Sequence, residues 1–246
     1  MINLNYNSHY KEHANKTLNW LPMDTKELYE KNIKENYNLL KIHNWIDNSF
    51  TYKFNSHGFR CNEFTSDPTI MFLGCSYTLG IGLPIETIWP EIVAKQLNLH
   101  CANLGIASGS ADTAFRLCHG WIDIINPKIL IFMLPANISR IEFVTTEFVE
   151  NDNLAWADQS TNEHRHIFLK EWSGIDDSNS IFNSLKNTLA IKHLCNIRNI
   201  KYIEISAFTL NDIPSVSFMP FDLARDLAHP GVGSNAHGAQ IILSNI

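Results

Sequence analysis

Asp226-Leu-Ala-His229, near the end of a 246-residue chain, sets a carboxylate three residues before an imidazole. On one tight turn that spacing lets the Asp226 carboxylate accept a hydrogen bond from the Nδ1 proton of His229. Nε2 is then left to face a hydroxyl, which is the arrangement that turns a serine into a nucleophile. A serine in a suitable setting stands at Ser76, within the stretch FLGCSYTLGIG of residues 72–82. There an apolar run ends abruptly in Gly-Cys-Ser, and glycines return at Gly80 and Gly82. Such a loop has three readings: a phosphate cradle, a nucleophile, or a plain turn. The cradle requires G-x-x-x-x-G-K-[ST] or G-x-G-x-x-G. Gly74 and Gly80 are followed by no lysine, so that pattern is not met. The nucleophile elbow G-x-S-x-G fails as well, because Thr78 holds the place of its second glycine. A turn remains open, since serine and glycine fill turns everywhere. An Asp-x-x-His pair likewise has its ordinary reading, a histidine capping or packing in a loop.

The elements that would position these residues are legible as apolar runs. Four short, nearly continuous runs, Thr69–Gly74, Cys101–Ile106, Lys128–Leu134 and Lys201–Ser206, read as strands covered on both faces. Helical stretches are expected at Trp89–Leu97, Ala111–Ile125 and Ser178–Arg198, the last with Ile181, Leu185 and Leu189 forming one apolar stripe toward a core. A final helix is expected after Pro230-Gly231, with Ala239, Ile242 and Leu243 inward. Strand alternating with helix implies a parallel sheet with crossovers, hence a three-layer α/β domain over residues 51–246. In such a sheet ligands bind at the carboxyl ends of the strands, where Ser76 falls. Residues 1–50 read as an N-terminal helical extension. Its Asp24 and Glu27 suggest a capping box, and Tyr29, Ile33, Tyr37 and Leu40 one helix face. Residues 141–177 read as a long insertion without a period.

Composition narrows the classes. A formal charge of −6 with no cluster of Lys and Arg argues against nucleic acid or an anionic membrane as partner. The longest apolar run, Ile129 to Ala136, is too short to span a bilayer. The opening MINLNYNSHYKEHANK has no apolar core and no cleavage site, so no signal peptide is read and a cytoplasmic location is expected. Five scattered cysteines without a C-x-x-C pair argue against a disulfide framework or a zinc site, and for a reducing compartment. No cofactor and no metal is expected. Oligomeric state leaves no signal.

Four segments taken together resemble the SGNH/GDSL hydrolases. They are Gly74-Cys75-Ser76 after the first strand, NLGIASGSAD with Gly109 after the second, LPAN with Asn137 after the third, and Asp226-Leu-Ala-His229-Pro near the end. The order and spacing match over about residues 50–246. The lead-in YKFNSHGFR and the Gly-Cys-Ser-x-Thr form are similar to one branch of that family. The resemblance implies a flavodoxin-like three-layer fold and a metal-independent serine esterase. Ser76 would be the nucleophile, His229 the general base and then acid, and Asp226 the group that fixes the imidazole tautomer. The oxyanion would be held by the backbone N–H groups of Ser76 and Gly109 and the side-chain amide of Asn137. It implies an acyl or acetyl ester as substrate, either a small molecule or an O-acylated glycan. The rival is a non-catalytic binding or structural module on the same fold.

The chain departs from the family pattern at Cys75, where an aspartate is usual, at Ile138, and at Pro135 in place of a glycine. Cys75 is expected to point away from Ser76, because side chains alternate at a strand end. His237 is read as a helical surface residue, and His164 and His166 as solvated. Trp156 and Trp172 are read as packing of the insertion rather than as pocket walls. His57 and Arg60 belong to the lead-in, with Arg60 expected to anchor the N-terminal extension.

Overall fold

The computed structural model describes residues 5–135, 138–144, 149–152, 167, 178–206 and 221–246. After a short antiparallel pair, β1 (Thr17–Leu18) and β2 (Tyr52–Lys53), its centre is a four-stranded parallel sheet of β3 (Thr69–Leu73), β4 (His100–Asn103), β5 (Ile129–Leu134) and β8 (Lys201–Ser206). The strand order is β4-β3-β5-β8. Every residue of β3 is buried, which is why its sequence runs apolar without alternation. On one side of the sheet Ile70, Phe72, Ile131 and Met133 meet α4 (Trp89–Gln96) and the final helix α7 (Val232–Ser244), through Trp89, Val93, Ala239 and Ile242. On the other side Met71, Leu73, Leu130 and Phe132 meet α5 (Ala111–Ile125) and α6 (Ser178–Asn196), through Leu117, Cys118, Ile122 and Ile191. The three expected layers are present, and the four strands lie where the apolar runs put them. All five cysteines are free and buried.

Three expectations about the helices fail. The stripe Ile181, Leu185, Leu189 of α6 points outward, these residues being 55%, 52% and 56% exposed. The buried face is instead Ser180, Asn183, Ser184, Asn187, Thr188, Ile191 and Cys195. The cause is Asp112 in the first turn of α5, whose carboxylate accepts from the amides of Asn183 and Asn187 at 2.8–3.1 Å. A carboxylate at that contact requires donors opposite it, so the small polar face turns inward. The capping box also fails. The N-cap of α1 (Lys26–Glu35) is Thr25, whose hydroxyl accepts from Leu28 N–H at 3.1 Å, while Asp24 has a distant partner described below. Helix α1 ends at Glu35, Asn36 leaves helical geometry at φ −130°, and a separate helix α2 (Tyr37–Ile42) buries Leu40 and leaves Tyr37 47% exposed, so the expected single face is split between two helices.

Within 141–177, strands β6 (Ile141–Val144) and β7 (Val149–Asp152) form an antiparallel hairpin. His164, His166, Trp156 and Trp172 lie outside the described residues. Glu142 of β6 is buried and fork-paired to Arg116 of α5, with Nε–Oε2 at 2.7 Å and Nη2–Oε1 at 2.9 Å, and His9 adds a contact at 2.9 Å. Burial alone would raise the Glu142 carboxyl. The hydrogen bonds from His9 and Arg116 and the charge of Arg116 outweigh it, so the carboxyl is held below the ordinary glutamate value. The unfolded chain therefore takes up this proton at higher pH than the folded one. The pair's contribution is present at neutral pH and is lost as pH falls below about 4.3 and through the folded value. Glu142→Gln is expected to cost about 3 kcal/mol at pH 7, with the gap to wild type closing toward pH 3. Thermal unfolding of both proteins across that range checks it, and a constant gap would exclude the linkage.

Candidate active site

Strand β3 ends at Leu73, and the chain turns through Gly74, at φ +157°, into the single-turn helix α3 (Ser76–Leu79). A Cβ at Gly74 would lie 2.2 Å from Thr78 Oγ1, so only glycine lets the helix fold back this tightly. Strands β4 and β5 flank β3 on opposite sides, which makes its carboxyl end the switch point of the sheet, where an open α/β fold has its crevice. Ser76 is the first residue of α3, so its N–H has no carbonyl one turn back to bond and remains available as a donor. Cys75 is 1% exposed, in keeping with a side chain turned into the fold.

Three residues to which the sequence assigned no such role hold this helix. Asn103, at the end of β4, donates from Nδ2 to the Thr78 carbonyl at 2.8 Å and accepts from Gly105 N–H at 3.0 Å. A Cβ on Gly105 would meet Leu79 N at 2.6 Å. The signal for both was the Asn-x-Gly inside NLGIASGSAD, where only Gly109 was singled out. The third is Arg60. Rather than anchoring the N-terminal extension, its fully buried guanidinium donates to the carbonyls of Leu79, Gly80 and Leu83 and lies 4.5 Å over the Tyr52 ring. Burial depresses the guanidinium to about 10, which leaves it charged at neutral pH.

The carboxylate–imidazole pair expected from Asp226 and His229 forms on the turn before α7. Asp226 Oδ1 accepts from the backbone N–H groups of Ala228 at 3.2 Å and His229 at 3.1 Å, while Oδ2 accepts from His229 Nδ1–H. Both side chains are buried, with 1% of Asp226 and 6% of His229 exposed. A carboxylate at Nδ1 calls for a proton there, so that in the neutral imidazole Nε2 is the nitrogen left to accept one, as a general base requires. The Tyr77 ring stands edge-on to the imidazole at 5.7 Å. Burial, then the charges of Cys75 and Asp226, push the Tyr77 hydroxyl up, so it stays neutral. Asn235 fixes the other side, donating to the carbonyls of Pro230 and Gly231 at 3.1 and 2.9 Å and accepting from Trp89 N–H.

Ser76 and His229 line one narrow crevice, with Tyr77, Ile81, Leu83 and Pro230 among its walls. Ser76 Oγ and His229 Nε2 make no hydrogen bond with each other among the described residues. Gly109 lies against this site, since a Cβ there would stand 3.1 Å from the Gly74 carbonyl. Its N–H, however, donates to the Ile106 carbonyl at 2.9 Å. Asn137 lies outside the described residues. His237 is exposed on α7, with its ring 6.2 Å from Phe221. His57 stacks on Phe64 at 5.4 Å and meets the edge of Trp121. Among the described residues no group of three His, Cys, Asp or Glu side chains could hold a metal ion, and no helix is long and apolar enough to cross a membrane.

No family model and no curated protein matches the chain. Several solved structures do. One is TesA, at 10% identity and a TM-score of 0.46, covering 72% of this chain and 96% of TesA. Another is the acetyl xylan esterase Est2A of the rumen bacterium Butyrivibrio proteoclasticus, at 11% identity and 0.46, covering 72% of this chain and 63% of that one. A third is AlinE4, an SGNH-hydrolase family esterase, at 14% identity and 0.36, covering 58% and 60%. The chain is thus similar to SGNH-type esterases at low identity, and its chemistry has to be argued from its own residues.

Proposed function

We propose that the protein is a metal-independent serine esterase of the SGNH/GDSL type that removes a short acyl group, such as acetyl, from an alcohol. The observation that carries this reading is the buried Asp226–His229 pair, bonded through Nδ1, whose imidazole lines one crevice with a serine at the sheet's switch point. Ser76 Oγ attacks the ester carbonyl and passes its proton to His229 Nε2. The tetrahedral oxyanion takes the Ser76 N–H, and His229 returns the proton to the leaving alkoxide. The acyl-enzyme is then cleaved by water through the same base. The family resemblance supports a short acyl group and an O-acylated carbohydrate as the alcohol part. Gly109 serves as a second oxyanion donor once its N–H turns from the Ile106 carbonyl toward substrate, and Asn137 as a third.

That occupied Gly109 N–H is the observation that favours the rival, a binding module without activity. A fluorophosphonate probe separates the two, because it bonds only to an activated serine. Labelling mapped to Ser76, together with hydrolysis that falls from acetyl to longer p-nitrophenyl esters, is the expected result. An unlabelled Ser76 with no hydrolysis at any chain length would establish the binding module.

A further inference from the structure

The Asp226–His229 turn is strained. Leu227, between them, has φ +56°, a left-handed conformation that a branched residue adopts only when its surroundings impose it. Part of the constraint is local: Leu227 N–H donates to Ala224 O at 2.9 Å, and Ala224 N–H to His229 O at 2.9 Å. The rest comes from the far end of the chain. Arg225, immediately before the acid, is 3% exposed. It forks onto Asp24, with Nη2–Oδ2 at 2.6 Å and Nε–Oδ1 at 3.1 Å, and donates to Asn19 O at 3.0 Å. Its guanidinium is sandwiched 4.1 Å from the Trp20 ring and 4.0 Å from the Phe50 ring. Asp24, 1% exposed, also accepts from the Tyr52 hydroxyl, which in turn accepts from Gly82 N–H at 2.8 Å. Gly82 O then accepts from Arg225 N–H at 3.0 Å, closing the ring of bonds.

This ring joins the loop after the candidate nucleophile to the turn that carries the candidate acid and base, through residues 19–52. A buried, charged, doubly forked pair is costly to desolvate, and simple packing of an extension onto a domain would not require one. We propose that Asp24, Tyr52 and Arg225 are positioning residues of the active site: the N-terminal segment sets the Leu227 turn, and through it the hydrogen bond from His229 to Asp226. The inference rests on the esterase reading for its kinetic consequence, but not for its structural one.

The test uses the full chain with Asp24→Asn, Tyr52→Phe and Asp24→Glu. In Asp24→Asn, kcat for an acetyl ester is expected to fall about 10- to 100-fold with KM changed by no more than about twofold, because the catalytic groups and not the crevice are displaced. Asp24→Glu, which keeps the charge, should recover part of that loss. The far-downfield proton resonance of His229 Nδ1–H should shift or broaden in Asp24→Asn. If Asp24→Asn does not fold, Tyr52→Phe removes one hydroxyl and is read the same way, with a smaller loss. Wild-type kcat per folded molecule together with an unmoved resonance would overturn the proposal, whatever the change in melting temperature. A wild type without activity would sink the esterase reading, and the resonance would then decide the positioning role alone.

Discussion

Ser76→Ala is expected to remove hydrolysis of short acyl esters by about four to six orders of magnitude in kcat, and His229→Ala by a similar factor. The losses should be nearly equal and should not add in the double variant, since the two groups act on one proton. KM should change little, because neither group supplies most of the binding surface. Stability separates the two variants. Ser76 Oγ makes no hydrogen bond among the described residues, so Ser76→Ala should melt close to wild type. His229→Ala strips the buried Asp226 carboxylate of its side-chain donor and should melt lower. Chelator should leave all rates unchanged. The experiment is a p-nitrophenyl acetate assay of the four proteins with and without EDTA. Residual activity in Ser76→Ala close to wild type would exclude the serine mechanism.

What could be read from the sequence was whatever physics stays local. Thr69–Leu73 and Ile129–Leu134 announced themselves because a strand covered on both faces has no polar side to show. Asp226 and His229 announced themselves because a three-residue spacing on a turn already brings the two groups together. The misreadings share one physical cause. The apolar stripe of α6 predicted the wrong inner face because the sequence does not say that Asp112, 71 residues before Asn183, will stand opposite and need amide donors. Asp24 looked like a helix cap because its real partner, Arg225, is 201 residues away. In both cases a carboxylate withdrawn from water, half-buried at Asp112 and fully buried at Asp24, decided the packing, and such a group is recognised only with its partner in view. The same holds for Asn103, whose hold on α3 is a side-chain bond to a backbone carbonyl in another strand–helix unit.

Arg60 shows how much of the site's geometry depends on such a group. Arg60→Ala is expected to cost about 3–5 kcal/mol, because three buried carbonyls, those of Leu79, Gly80 and Leu83, lose their donor at about 1–3 kcal/mol each, with part regained by water entering the space. For a chain of this size that is a fall of about 10 °C in melting temperature. Arg60→Lys should recover only part of it, since a lysine carries the charge but cannot offer a rigid fork to carbonyls on either side of a turn. The loss should reach the site as well. Those carbonyls belong to the segment that follows Ser76 directly, and Gly80 N–H is bonded back to Ser76 O at 2.9 Å, so a loosened segment lets the serine wander. Fluorophosphonate labelling of Ser76 should therefore slow in Arg60→Lys under conditions where the protein remains folded. Labelling at the wild-type rate alongside a lowered melting temperature would restrict Arg60 to holding the fold. Unchanged melting would mean that the three carbonyls find other donors, and that the clamp contributes neither to the fold nor to the site.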